Sequence, residues 1–441
     1  MTSTPVTSHS VPLVGGARLP LAFIVFGLAA HLAGAVWLVV QPGLLLEAHL
    51  HPRVVTLAHL WLPGFLLSVC VGAVYQLMPV VLGTALRAGS VRLWLHSGLH
   101  AVGCPLLIAG FPAGRFDWVA AGGTAVSLGV VLLAIAVVNT FRASPRRDAP
   151  AWSFPLAAIW LLATVLLGVV LALNRLHPFL PVSALGLLRA HAHLGLVGFF
   201  FTLLQGATFQ LVPMFTMGTL RRPRWVVAGL LGTQTGLLIL APGLAWHAPL
   251  PTLVGAALIA AGLAASGVAL GATLRHRRRR VLEPGLRAFV IGGALLGAAV
   301  LTGLVLVAAP GHSAFLRRLV SAYGVLAIAG ALGLCVSGML CKIVPFLVWM
   351  RAYGPKVGRQ PVPIATELSS KPLERLWLIA HLAGAGLLIA AILGGAPSAV
   401  IAGAWTLLGA TLVFLVNIAR ILAHLRPGHA GAVFKKNLQP S

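Results

Sequence analysis

Apolar stretches of roughly 20 residues follow one another from residue 21 to residue 424, and each is long enough to span about 30 Å of hydrocarbon. Hydrophobic residues make up 59% of the 441-residue chain and charged residues only 8%. No polar stretch remains that could form an extramembrane domain. The pattern predicts one all-α integral membrane domain over 1–441 with about twelve transmembrane helices. They fall at 21–41, 54–83, 92–112, 117–141, 152–174, 186–217, 224–245, 250–274, 287–309, 319–350, 375–394 and 397–424. Residues 1–20 are polar and lack the charged region, short apolar core and cleavage site of a secretory signal, so the first apolar run is expected to stay as a helix.

The formal charge of +25 invites a nucleic-acid reading, and its placement argues against one. Alternate connections carry Arg87 and Arg92; Arg142, Arg146 and Arg147; Arg221, Arg222 and Arg224; Arg277, Arg278, Arg279 and Arg280; then Lys356, Arg359 and Lys371. The intervening ones carry Arg53, Arg115, Arg175, Arg189, Arg317 and Arg318. The positive-inside rule places the first set and both termini in the cytoplasm of a bacterial inner membrane. Anionic lipids on that face are the partners the charge implies. Nucleic acid is not.

The spans repeat. The second reads A-H-L-W-L-P-G-F from Ala58 and continues G-A-V-Y-Q-L-M-P to Pro79; the sixth reads A-H-L-G-L-V-G-F from Ala192 and continues G-A-T-F-Q-L-V-P to Pro213. The register is gapless and pairs His59 with His193, Gly64 with Gly198, Gln76 with Gln210 and Pro79 with Pro213. The tenth span keeps the frame through Gly330, Gly338, Lys342 and Pro345, but has Val325 in the histidine's place. Three parallel four-helix repeats, 21–141, 152–274 and 287–424, are therefore expected around a pseudo-threefold axis. An even helix count keeps every copy in one orientation, which leaves parallel-repeat transporters open and excludes inverted repeats.

Ionisable groups at membrane depth are costly and mark function. All six acidic residues, Glu47, Asp117, Asp148, Glu283, Glu367 and Glu374, are expected in connections or at span ends, which argues against a proton pump or a cation-coupled transporter. Histidine is the remaining polar group. His59 and His193 are expected at similar depth on related helices, a geometry suited to a metal or heme as well as to interhelical hydrogen bonds. His191 lies ~200° from His193 around the helix, so the two cannot serve one cavity; His191 faces an adjacent site or the water interface beside Arg189. His96 and His100 share a helix face but lack a third ligand. His31 and His381 stand in matching A-H-L-A-G-A contexts, and either would serve as a second ligand facing His59 if the ring of helices closes. Cys70, Cys104, Cys335 and Cys341 sit inside spans without CxxC spacing, as packing residues. Gln76 and Gln210 bridge to neighbours, and Lys342 snorkels toward the interface.

The A-H-L-x-L-x-G-F…Q-L-x-P pattern of the second and sixth spans resembles heme–copper oxidase subunit I, as a divergent branch of the cytochrome c oxidase subunit I-like superfamily. The architecture covers nearly the whole chain; the motifs cover two helices. The resemblance implies that His59 ligates a b-type heme and that His193 or His191 ligates copper. It also implies histidines on the seventh and tenth spans, where this chain has none, and a tyrosine where Phe209 and Gln210 stand. The expectation is an oxidase-like scaffold without a complete dinuclear centre, and whether it is an enzyme stays open. It would hold a heme or metal through His59 with His193, His191, His31 or His381. Its role would be electron transfer with a redox partner protein, redox or gas sensing, or handling of heme or copper. A parallel-repeat transporter and a cofactor-free assembly or structural protein are the rivals.

Overall fold

The computed structural model describes residues 18–309 and 313–426. The expectations for the first residues and for the two termini fall largely on 1–17 and 427–441, outside the described residues. Twelve apolar helices long enough to cross a membrane are present: α1 Arg18–Val40, α2 Pro52–Leu82, α3 Ser90–Gly110, α4 Phe116–Ala143, α5 Ala149–Leu176, α6 Ala184–Thr216, α7 Pro223–Ala245, α8 Pro249–Arg275, α9 Pro284–Ala308, α10 Ala314–Ala352, α11 Lys371–Gly394 and α12 Pro397–Ala423. No strand occurs among the described residues. The chain is a multi-pass helical membrane protein.

Capping explains where the helices begin. Proline occupies the first turn of α2, α5, α7, α8, α9, α11 and α12, where its missing N–H costs nothing. Asp148 accepts from the Ala151 N–H at 3.1 Å, and Ser313 accepts from the Leu316 N–H at 3.2 Å. The Ser313 cap carries α10 back to Ala314, earlier than the predicted 319, because its start holds Arg317 and Arg318 and hydropathy alone does not see it.

The three longest helices, α2, α6 and α10, with 31, 33 and 39 residues, line an apolar cavity of about 80 Å³. Each changes from α to π winding at the same place: Leu60–Leu67, Leu194–Phe201 and Leu326–Gly333, directly after His59, His193 and Val325. Pro63 removes an N–H from the first of these segments, while the other two contain no proline. Wider winding displaces carbonyls, and hydroxyls collect them. Ser68 donates to the Gly64 carbonyl at 2.6 Å, and Thr202 is 3.3 Å from the Val197 carbonyl.

Outer hairpins pack through glycine. A Cβ on Gly122 of α4 would stand 2.4 Å from the Leu107 nitrogen of α3; on Gly255 of α8, 2.5 Å from that of Leu240; on Gly403 of α12, 3.1 Å from that of Leu388. Only glycine lets the backbones approach so closely. The cysteines pack in the same way, Cys341 against Gly285 and Cys335 against Gly292, and all four are free thiols. α1 lies against both α2 and α12, so the first and last helices meet.

One expectation about charge is corrected. Lys342 does not snorkel: its side chain is buried, and its ammonium donates to Glu283 Oε2. Glu374 stands at a span end, as expected, but is buried there. It lies in the first turn of α11 with 1% exposure, hydrogen-bonded by Ser369 at 2.5 Å and Lys371 at 3.0 Å. Lys371 also reaches Glu283 Oε2 at 2.9 Å, and Arg279 reaches its Oε1 at 2.7 Å. Sequence alone could not place Lys342 beside Glu283, because the α9 entry and the end of α10 meet only in the fold. Gln210 behaves as expected and accepts from Arg146 at 3.1 Å.

Candidate functional site

The imidazoles of His59 and His193 are held alike. His59 Nδ1 is 2.8 Å from the Val55 carbonyl and His193 Nδ1 is 2.8 Å from the Arg189 carbonyl, each one turn back on its own helix. A carbonyl only accepts, so Nδ1 carries the proton and Nε2 keeps its lone pair. This is how histidines are fixed when the other nitrogen serves a metal. Their surroundings differ. The His59 ring packs 4.5 Å from Phe111 and lies within electrostatic reach of His191. The His193 ring lies alongside Tyr323 of α10, whose hydroxyl is 3.4 Å from Nε2.

His191 turns the other way from His193, as its position on the helix requires. Its Nδ1 donates to the Thr164 carbonyl of α5 at 3.0 Å, and its ring fills a notch that a Cβ on Gly168 would close. It is thus a half-buried interhelical residue held against α5. His191 and His193 do not share a site.

No hydrogen bond or ring contact among the described residues joins His31 or His381 to His59. His31 stacks on Phe65 at 4.2 Å, and His381 Nε2 donates to the Ala329 carbonyl at 3.0 Å. His96 and His100 have separate partners, Tyr75 at 2.7 Å and Ser68 at 2.8 Å. Among the described residues no group of three or more histidine, cysteine or acidic side chains is placed to hold a metal ion.

A sizeable opening stands beside His193. A cavity of about 540 Å³ lies between α6, α7, α8, α9 and α10, within the range of roughly 300–1,000 Å³ of small-molecule and cofactor sites. Its walls include Val197, Leu240, Ile259, Val300 and Leu304. Its rim, at the helix ends on the side opposite the arginine-rich connections, carries Arg189, Arg317, His49 and His247. Burial, aided by the Arg189 charge, holds the His49 imidazole below its ordinary value, so the two arginines supply the fixed charge. An apolar body, a cationic rim and an imidazole with an unprotonated nitrogen together suit a flat apolar ligand that carries carboxylates.

The sequence reading missed Tyr323 and the rim. The repeat frame holds the signal, since Tyr323 stands two residues before Val325 as His191 stands two before His193. The residues that do face the site sit directly ahead of the π-wound segments, where winding changes concentrate at functional positions. No protein-family model matches the chain, and no curated protein matches it.

Proposed function

We propose that the chain is a heme-binding membrane protein on an oxidase subunit I-like scaffold of three four-helix repeats, with its principal heme site beside His193. The observation that carries this reading is the cavity that joins an Nε2 lone pair, apolar walls and two arginines. His193 would hold the iron through Nε2, oriented by its bond to the Arg189 carbonyl. Arg189 and Arg317 would pair with the propionate carboxylates, and the walls would exclude water. A bound heme supplies one-electron exchange between ferric and ferrous iron. Tyr323, at the edge of hydrogen-bonding range of Nε2, would donate within the same pocket. Electron transfer with a redox partner, or redox or gas sensing, is the corresponding role. The matched π segments and the three glycine crossings support the repeat, as does the gapless register of α2 and α6.

The decisive measurement is the visible spectrum of protein purified from heme-replete cells: a Soret band that shifts on reduction supports the reading. A colourless, metal-free preparation would overturn it. The cationic rim then favours the second reading, transport of an anionic amphiphile through the same cavity.

Orientation is part of the proposal. Both termini and the Arg277–Arg280 connection belong in the cytoplasm of a bacterial inner membrane. Reporter fusions at that connection should give the cytoplasmic signal, and a periplasmic signal there sinks the assignment.

The donor set also limits the chemistry. Oxidase-type reduction of oxygen needs ligands for a second metal beside the heme, and neither α7 nor α10 contains a histidine. Purified protein with a chemical reductant should consume no oxygen at oxidase-like rates. Cyanide-sensitive consumption lost in His193→Ala would show that other histidines assemble a dinuclear centre.

A further inference from the structure

Among the described residues, three polar side-chain nitrogens are sealed in the interior without a hydrogen-bond partner: His31 Nδ1, Trp61 Nε1 and His381 Nδ1. Their residues are 4%, 5% and 2% exposed. They belong to one neighbourhood. His31 and Gly34 lie on one face of α1; His31 stacks on Phe65, and the Trp61 nitrogen stands 2.4 Å from where a Cβ on Gly34 would be. His31 Nε2 stands 3.4 Å from Thr411 Oγ1 on α12, and His381 of α11 lies one turn beyond Trp377, whose ring is 5.0 Å from that of Phe414, one turn from Thr411.

The surrounding bonds fix what each nitrogen offers. His381 Nε2 meets the Ala329 carbonyl, which only accepts, so its proton is on Nε2 and Nδ1 is a lone pair. Thr411 Oγ1 gives its hydrogen to the Leu407 carbonyl at 2.9 Å, so at 3.4 Å it accepts from His31 Nε2 and leaves His31 Nδ1 a lone pair too. Trp61 Nε1 can only donate. The set is therefore one donor and two acceptors in an apolar interior, where unpaired polar groups are disfavoured.

We propose that these three nitrogens bind a single water molecule, which accepts from Trp61 and donates to His31 and His381. Water is the smallest guest with that valence, and three bonds are typical of a buried water. A metal cation suits the two imidazoles but leaves the indole N–H unpaired and facing positive charge. The site joins α1, α2 and α11 at the seam where α1 meets α12. The water is the polar fastener that closes the helical ring, independently of any heme beside His193.

A high-resolution map of the full-length protein in a nanodisc is the direct test, together with a melting-temperature cycle on His31→Leu, His381→Leu and the double variant. The expected map has one peak at about 2.7–3.2 Å from all three nitrogens. In the cycle, each single change lowers the melting temperature and the double lowers it by clearly less than the sum, because both acceptors are then gone. Additive losses with no density at the site overturn the proposal. So does bound copper whose X-ray absorption shows two nitrogen neighbours that either change removes. If a variant fails to fold, the wild-type map alone decides.

Discussion

His193→Ala is expected to remove the Soret band of the purified protein, with heme retention falling by more than the ~10–100-fold that follows loss of an outer-shell partner of a ligand. The expectation rests on position. Among the described residues, His193 is the only histidine that combines a fixed Nδ1–H, an Nε2 lone pair and a wall of the 540 Å³ cavity. His59 has the same fixed tautomer, but its ring meets Phe111 and its electrostatic neighbour is His191. His59→Ala should therefore leave the band largely in place. Arg189→Gln should weaken retention without abolishing it, since one of two rim cations is lost while His193 stays. The result that sinks the assignment is the reverse: bleaching by His59→Ala with a full spectrum in His193→Ala. The heme would then sit on α2, as the family resemblance implies, and the cavity would serve another guest.

The helices were legible because lipid forces every backbone polar group to be satisfied within its own segment, so each span announces itself by length and hydropathy. Tertiary pairing carries no such local mark. Glu283, Lys342 and Lys371 meet across three helices, and nothing near Lys342 in the chain indicates an acidic partner. His191 shows the same limit: its position two residues from His193 gave the direction it faces, but the Gly168 notch that receives it lies on α5. His31 and His381 could be set facing His59 only by assuming that the ring closes; α1 does pack on α12, yet the bonds of both histidines go elsewhere, to Thr411 and Ala329. The cavity was illegible for a simple reason. Its walls are Val, Leu and Ile, which look identical in sequence whether they face a core, a lipid or a ligand.

Glu283→Gln should destabilise the protein by roughly 2–3 kcal/mol, somewhat below the ~3–5 kcal/mol of breaking a fully buried pair, because the Glu283 side chain keeps 15% exposure against 6% for Lys342. The loss comes from what remains: the Lys342 ammonium stays buried with no carboxylate beside it, and Lys371 keeps only Glu374. Lys342→Met should cost much less, since Glu283 still holds Lys371 and Arg279 and the methionine fills the lysine's apolar stem space. pH separates this from a packing defect. Burial alone would raise the Glu283 carboxyl, but hydrogen bonds from Lys342 and Lys371 outweigh it and hold the group at about 2, against an ordinary 4.5. A depressed acid contributes stability above its ordinary value and loses it as pH falls toward the folded one. The melting-temperature gap between wild type and Glu283→Gln should therefore be constant above about pH 4.5, shrink below it and close near pH 2. A gap unchanged from pH 7 to pH 2.5 would mean that Glu283 acts through shape, and that the buried lysine is stabilised by some other group.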